Sequence, residues 1–205
     1  MSHNHKPSAY IFIGRSGSGK GTQGGLLAAA IKAAGTKAGR SSNDPLYVQT
    51  GSEFREFIKK TDTFTKQKTH DAYENGLLMP EFLAINMWTS VLINKFDGEQ
   101  DVIFDGTPRK FHEAGVLNSV FDFYDFKDIY VIHIDISDAE AVKRLIGRGR
   151  IDDTEDDIKE RLEWYKTEVV HTMEYFRDNA RYKFITVQGE RPIQEVHQDI
   201  AKAVG

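Results

Sequence analysis

The chain has no cysteine. That absence removes disulfides, thiolate catalysis and cysteine-ligated zinc together, and is compatible with a reducing cytoplasm. Long apolar runs are missing too: nothing approaches the roughly 20 residues of a membrane-spanning helix, and residues 1–8 are polar, without a signal-peptide apolar stretch. Nor is there an excess of positive charge. Against 27 Lys and Arg stand 31 Asp and Glu, a formal net charge of −4, which disfavours extended nucleic-acid binding because affinity for a polyanion comes mostly from cations neutralising phosphates. A small anionic ligand needs only a local basic pocket. Internal repeats and low-complexity blocks are absent. Histidines number 7, but His3 and His5 fall in a terminal tail and the rest lack ligand spacing, so solvated or packed roles are expected for them. These absences predict a soluble, cytoplasmic protein with no nucleic-acid or membrane partner. A chain of 205 residues has room for one good core carrying small insertions.

What is present begins with Gly14-Arg15-Ser16-Gly17-Ser18-Gly19-Lys20-Gly21-Thr22, directly after the apolar run 10–13 and directly before a helix-like segment, 26–34. Glycines let such a loop turn tightly with its amides pointing inward, and the following helix adds unpaired N–H groups and a positive dipole end. Polyphosphate is the natural guest. Lys20 would reach the outer phosphates, and Thr22 could help hold a metal, although Gly21 intervenes where a hydroxyl residue usually follows the lysine. A flexible Gly/Ser linker is the bland alternative, but linkers rarely join a buried-strand pattern to a helix.

Strand-like runs recur at 10–13, 46–48, 102–104, 129–136 and 182–187, separated by segments of helical spacing. The alternation predicts a parallel sheet with covering helices. The runs 102–104 and 130–132 are almost wholly apolar, as strands buried on both faces are. Ligands in such sheets sit beyond the strand C-terminal ends, so the glycine loop and the turn Asp105-Gly106-Thr107-Pro108-Arg109 should be neighbours. Long helices are predicted over 81–96, with Pro80 in its first turn, and over 154–177, where Ile158, Leu162, Tyr165, Val169 and Phe176 form a stripe. Thr154 with Asp157 resembles a capping box, and the acidic run Asp152, Asp153, Glu155, Asp156, Asp157 is expected to complement that helix's dipole rather than bind metal. Residues 35–45 read as a surface loop. Trp88 and Trp164 are most simply packing residues.

Further segments now fall into one order. Thr50-Gly51-Ser52-Glu53-Phe54-Arg55 resembles the adenylate kinase Thr-Gly-Asp-x-x-Arg element, Gly76-Leu77-Leu78-Met79-Pro80 its Gly-x-Leu-Val-Pro, and Phe104-Asp105-Gly106-Thr107-Pro108-Arg109 its Phe-Asp-Gly-Phe-Pro-Arg. Arg144-Leu145-Ile146-Gly147-Arg148 is similar to that family's approach to the lid. Arg150-Ile151-Asp152-Asp153 with Arg161 is similar to its exit, and Gln188-Gly189-Glu190-Arg191-Pro192 resembles the turn before its last helix. The resemblance spans nearly everything from Tyr10 onward.

It implies an α/β, three-layer P-loop NTPase fold around a five-stranded parallel sheet. Residues 9–49, 80–147 and 154–205 would form the core, 50–79 a small helical insertion binding the nucleoside monophosphate, 148–153 a very short lid and 1–8 a flexible tail. The implied activity is reversible transfer of the ATP γ-phosphate to AMP, with magnesium, by a monomer whose partners are small-molecule nucleotides. Gly17, Ser18, Gly19, Lys20, Gly21 and Thr22 would bind the ATP phosphates, with Arg144, Arg148, Gly189 and Arg191 around the donor. Thr50, Leu77, Leu78 and Met79 would flank the acceptor base beside Gly106, Arg55 and Arg109 would grip its phosphate, and Arg150 and Arg161 would close over the transferring group. Lys20, Arg109, Arg148, Arg150 and Arg161 are the catalytic set, and Asp105 with Thr22 would order magnesium through water.

Phosphoryl transfer between two anions needs fixed positive groups and in-line positioning more than a strong base, which accounts for the many arginines. It also needs water kept out, which is the work of closure. Only Gly149 separates Arg148 from Arg150, so no zinc-binding lid subdomain can fit. Glu113 stands where the family carries the Gln that reads adenine. A carboxylate only accepts, which suits the two donors of guanine better than the donor–acceptor edge of adenine or cytosine. The alternatives are therefore a kinase preferring GMP, CMP or UMP, with Thr50 favouring AMP, or a solvated Glu113 with no such role. An inactive nucleotide-binding regulator would need the loop but not the arginines. A P-loop kinase acting on a non-nucleotide would leave the 50–55 and 76–80 elements unexplained. Ser52 and Thr107 replace an Asp and an aromatic residue of the family pattern.

Overall fold

The computed structural model describes residues 6–37, 44–60, 62–75, 77–149 and 153–205. Five strands, β1 (Ala9–Ile13), β2 (Leu46–Gln49), β3 (Val102–Asp105), β4 (Ile129–Asp135) and β5 (Lys183–Gln188), form one sheet in the order β2-β3-β1-β4-β5. Every pairing is parallel, and Ile11 lies opposite both Phe104 and Val131. The central strands β1 and β3 are buried throughout.

Side-chain alternation along these strands builds two cores. Ala9, Ile11, Ile13, Val102, Phe104 and Val131 project to one face and meet Trp88 and Leu92 of α4 (Glu81–Lys95), Leu117 and Phe121 of α5 (Phe111–Phe123), and Phe176 of α8 (Val170–Arg177). Tyr10, Phe12, Ile103, Ile132 and Ile134 project to the other and meet Leu27 of α1 (Lys20–Lys37) and Val196 and Ile200 of α9 (Ile193–Val204). Helices therefore cover both faces, the three-layer α/β arrangement expected. A third, smaller core lies outside the sheet. There Phe54 of α2 (Thr50–Lys60) packs with Met79, Leu83, Ala84 and Met87, and Ala72 and Tyr73 of α3 (Phe64–Glu74) close it.

Three local expectations change. The helix α1 runs through Gly35 to Lys37, so the predicted loop at 35–45 starts later; residues 38–43 lie outside the described residues. Gly35 is buried on that helix, where burial outweighs a propensity cost of about 1 kcal/mol. Pro80 is the residue before α4 rather than part of its first turn, its extended ψ of 142° fixing the direction of approach. The predicted helix over 154–177 is continuous in direction but divided: α7 (Glu155–Trp164), a single π-helical turn (Tyr165–Val169), then α8. That turn inserts an extra residue into the helical repeat and re-aims what precedes it, a feature often found at functional sites. Before α7 comes α6 (Asp138–Arg148), closed by Gly149 in the left-handed region.

Candidate active site

Beyond Ile13 the chain turns through Gly14, Gly17 and Gly19, with φ of 146°, 82° and 98°, values that side chains with a Cβ rarely adopt. At Gly14 a Cβ would also stand 2.6 Å from the Ile134 carbonyl oxygen. The loop wraps its own lysine: Lys20 Nζ donates to the carbonyls of Gly14 and Arg15 at 2.8 and 2.7 Å. Burial lowers the Lys20 pKa from 10.5 to about 8; Arg109 and Arg148 push the same way and Asp105 opposes them. An ammonium held so close to losing its proton is poised to gain from a phosphate, which would restore the charged form.

The C-terminal ends of β1, β2 and β3 open onto one cleft of about 600 Å³. Gly17, Gly19, Lys20, Gly21 and Thr22 form one side of it, and Arg144 and Arg148 of α6 stand nearby. Gly51 and Arg55 of α2, Asp105 at the end of β3, Gly106 and Arg109 after it, and Arg161 of α7 line the remainder, with Leu77 and Met79. Lys20 and the arginines at 55, 109, 144, 148 and 161 face a wall whose one carboxylate among the described residues is Asp105. A chain of net negative charge thus has a locally cationic cleft.

Four of the arginines have fixed seats. Arg144 donates from Nη2 to the Gly189 carbonyl at 2.8 Å and from Nε to Glu140 at 2.8 Å. Arg148 forms a two-pronged pair with Asp153 at 2.8 and 2.6 Å, and Arg161 reaches the same carboxylate at 2.8 Å. The Asp153 side chain is only 1% exposed. It is thus a buried bridge between two arginines, not one more dipole-complementing carboxylate at the start of α7. The capping box read at that start is present, Thr154 and Asp157 bonding each other's backbone N–H. Arg109 donates from Nε to the Gly106 carbonyl at 3.0 Å and its guanidinium lies 5.3 Å from the Trp164 ring centre. Burial pushes its pKa below the ordinary arginine range, opposed chiefly by Glu113 and Asp105.

Asp105 shares Oδ2 with Gln49 Nε2 at 3.1 Å and the Tyr47 hydroxyl at 3.5 Å, and the same oxygen would stand 3.3 Å from a Cβ placed on Gly21. Its second oxygen remains for other partners. Asp105 and Thr22 both line the cleft, and one carboxylate with one hydroxyl is an all-oxygen donor set that fits magnesium held mostly through water and substrate phosphates. Among the described residues no group of three or more His, Asp or Glu could enclose a metal by itself.

Several anticipated residues stand behind the wall. Ser18 and Thr50 are buried, and the Thr50 hydroxyl has no hydrogen-bond partner although its neighbours Gln49 and Gly51 both line the cleft. Leu78 is half-buried and off the wall. Gly189 is packed so that a Cβ would meet the Ile134 and Ile136 methyls at 2.6 and 2.8 Å, and it presents its carbonyl to Arg144. Arg191 pairs with Asp199. Arg150, with Ile151, Asp152 and Gly76, lies outside the described residues.

Glu113 differs most from what its position suggested. Its side chain is buried, accepting from the Thr107 hydroxyl at 2.8 Å and from the Arg109 and Lys110 amides at 3.3 and 3.2 Å. It caps α5 and is no part of the cleft wall. The two substitutions that looked like separate departures, Glu113 and Thr107, are one hydrogen-bonded pair.

The wall also includes Ser16, Gln49, Phe54 and Tyr73, to which the sequence assigned no role, and Trp164, expected only to pack. Phe54 sits inside the Thr50–Arg55 motif and could have been read with it. Trp164, three residues after Arg161, shares that residue's helix face; the pattern offered this signal, but the π turn that fixes its aim is invisible in sequence.

An adenylate kinase family model matches residues 12–181. The chain is 29% identical to adenylate kinase 1 of Nostoc sp. over 195 residues, covering 95% of this chain and 97% of that protein. It is 33% identical to an adenylate kinase of Prochlorococcus marinus subsp. pastoris over 180 residues, covering 88% and 89%. A third, from Parabacteroides distasonis, is 29% identical over 198 residues, with 95% and 96% covered. The match reaches across the glycine loop, both sides of the cleft and the helix carrying Arg161, and places the chain in the adenylate kinase family.

Proposed function

We propose that this chain transfers the γ-phosphoryl group of ATP reversibly to AMP, giving two molecules of ADP. The observation that carries the reading is the single cleft whose wall joins the phosphate loop to Arg55, Arg109 and Arg161 from three other elements. A nucleotide-binding regulator would need the first part only.

In this reading the loop amides and Lys20 hold the donor phosphates. Arg55 and Arg109 take the acceptor phosphate, while Leu77, Met79, Phe54 and Tyr73 offer an apolar seat for its base. An oxygen of the AMP phosphate attacks the γ-phosphorus in line, and the bond from that phosphorus to the bridging oxygen of ADP breaks. The nucleophile is already an anion, so no base is required. Arg148 and Arg161, locked side by side by Asp153, supply positive charge where it builds on the transferring oxygens. Arg150 is assigned to the same group from its place in the motif. Magnesium, held through water by Asp105 and Thr22, would neutralise phosphate charge. Lid closure over 148–153 and movement of 50–79 would exclude water.

The case for a different acceptor rested on Glu113 presenting its carboxylate to the base. With that carboxylate engaged by Thr107 and two backbone amides, the reason falls away. Thr50, the residue type that the resemblance associates with AMP, is buried next to the cleft-lining Gln49 and Gly51. We further assign the protein to the cytoplasm and to a monomeric state; no described helix is long and apolar enough to cross a membrane. A coupled assay across AMP, GMP, CMP and UMP tests the reading: AMP should be converted fastest, and preferential use of another monophosphate would remove the assignment.

A further inference from the structure

The chain has 2 tryptophans, and they differ in setting. Trp88 is wholly buried in the core under the sheet, whereas Trp164 lines the cleft. Both indole Nε1–H groups are buried without an acceptor, a loss of about 1–3 kcal/mol that phenylalanine or leucine would avoid; of the two rings, that of Trp164 borders the cleft. What indole offers over phenylalanine or leucine is the most electron-rich aromatic face, the best surface for a cation.

Arg109 lies over that face at 5.3 Å from the ring centre. Its Nε is tied to the Gly106 carbonyl, and its own carbonyl accepts from the Thr172 hydroxyl of α8 at 3.2 Å. The helix running through α7, the π turn and α8 thus holds Arg109 at both its side chain and its backbone. The support is neutral, which matters. A carboxylate in that position would fix the guanidinium equally well but would neutralise it, and phosphate would have to displace it. An aromatic face fixes the direction of the terminal nitrogens while leaving the whole positive charge for a ligand. The π turn starting at Tyr165 holds the arrangement in place: Tyr165 lies under Arg15 of the phosphate loop at 4.6 Å, and Lys166 pairs with Asp138 at 2.8 Å.

We propose that Trp164 is a positioning residue for the acceptor phosphate, acting as a neutral platform that orients the Arg109 guanidinium. This rests on the functional reading above, in which Arg109 grips the monophosphate. Calorimetric titration of AMP and, separately, of ATP into wild-type, Trp164→Leu, Trp164→Phe, Arg109→Lys and the Trp164→Leu/Arg109→Lys double variant tests it. Trp164→Leu should weaken AMP about three- to thirtyfold, the range of a cation–π contact from exposed to desolvated, and leave ATP within about twofold, which also reports correct folding. Trp164→Phe should recover most of the AMP affinity. The double variant should bind AMP little worse than Arg109→Lys alone, because the two residues act as one unit. Unchanged AMP affinity in Trp164→Leu, parallel loss of both nucleotides, a phenylalanine variant as weak as the leucine one, or additive effects would each overturn the role of Trp164. Wild-type protein that binds ATP but no AMP would instead overturn the functional reading, and this inference with it.

Discussion

At the scale of single residues, the cleft is a set of cations whose surroundings decide what each can do. Lys20 is the sharpest case. Its pKa near 8 lies below the ordinary 10.5, so the folded protein binds this proton less readily than the unfolded chain. By linkage, its contribution to stability rises between about pH 8 and pH 10.5 and is unfavourable below. Ligand binding runs the other way, since phosphate favours the ammonium. Titration of ATP at pH 8 in buffers of different ionisation enthalpy should therefore show net proton uptake of up to about half a proton, lost in Lys20→Met. Removing Lys20 should lower turnover by about 10² to 10³, the usual effect of losing one preorganised donor, measured in the coupled assay. Arg161→Ala should cost more, about 10³ to 10⁵ if it acts on the transferring group as an arginine finger does. Glu113 gives a prediction of the opposite kind. Glu113→Ala should lower stability by about 1–3 kcal/mol, seen as a fall of roughly 2–4 °C in melting temperature per kcal/mol, while Glu113→Gln keeps an acceptor for the Arg109 and Lys110 amides and should leave the preference for AMP over GMP unchanged. A shift of that preference in Glu113→Gln would return the residue to the base.

At the scale of elements, close approaches are fixed by residues without side chains. The turn after β5 passes so near β4 that Gly189→Ala would drive a methyl into Ile134 and Ile136. Overpacking of this kind costs about 1–3 kcal/mol, and the displaced carbonyl would also disturb its bond to Arg144. A lower melting temperature together with weaker ATP binding is expected, and wild-type values for both would contradict the packing described. The strands were readable in the chain because burial on both faces leaves an apolar run with few exceptions, as at 102–104. The helix over 154–177 was readable as a stripe. Its π turn was not, because the local sequence of a π turn carries no distinct periodicity and the turn is held by contacts to Arg15 and Asp138, far away in the chain. Trp164 was read as packing for the same reason. Asp153 looked like its acidic neighbours because sequence does not show which member of a charge run is buried between two arginines. The family pattern alone offers the Glu113 carboxylate only a base or solvent to face. Its true partner, Thr107, is another departure from that pattern, and only geometry reveals that the two compensate each other.

At the scale of the whole molecule, the organising fact is that an acidic chain brings Lys20 and five arginines from separate segments to one edge of a parallel sheet. The sheet order puts the loop after β1 beside the turn after β3, and α2 and α3, packed with the start of α4 in the small third core, face α6 and α7 across the opening. In the proposed reading, charge and topology together make a place for two nucleotides end to end. The central claim is therefore geometric, and the crystal structure of the protein with diadenosine pentaphosphate tests it most directly. The expected result is one molecule of this mimic spanning the cleft, its phosphate chain contacted by Lys20, Arg109, Arg148 and Arg161, with one adenosine beside Leu77 and Met79. A mimic bound at the glycine loop alone, with Arg55, Arg109 and Arg161 turned away from its phosphates, would contradict it.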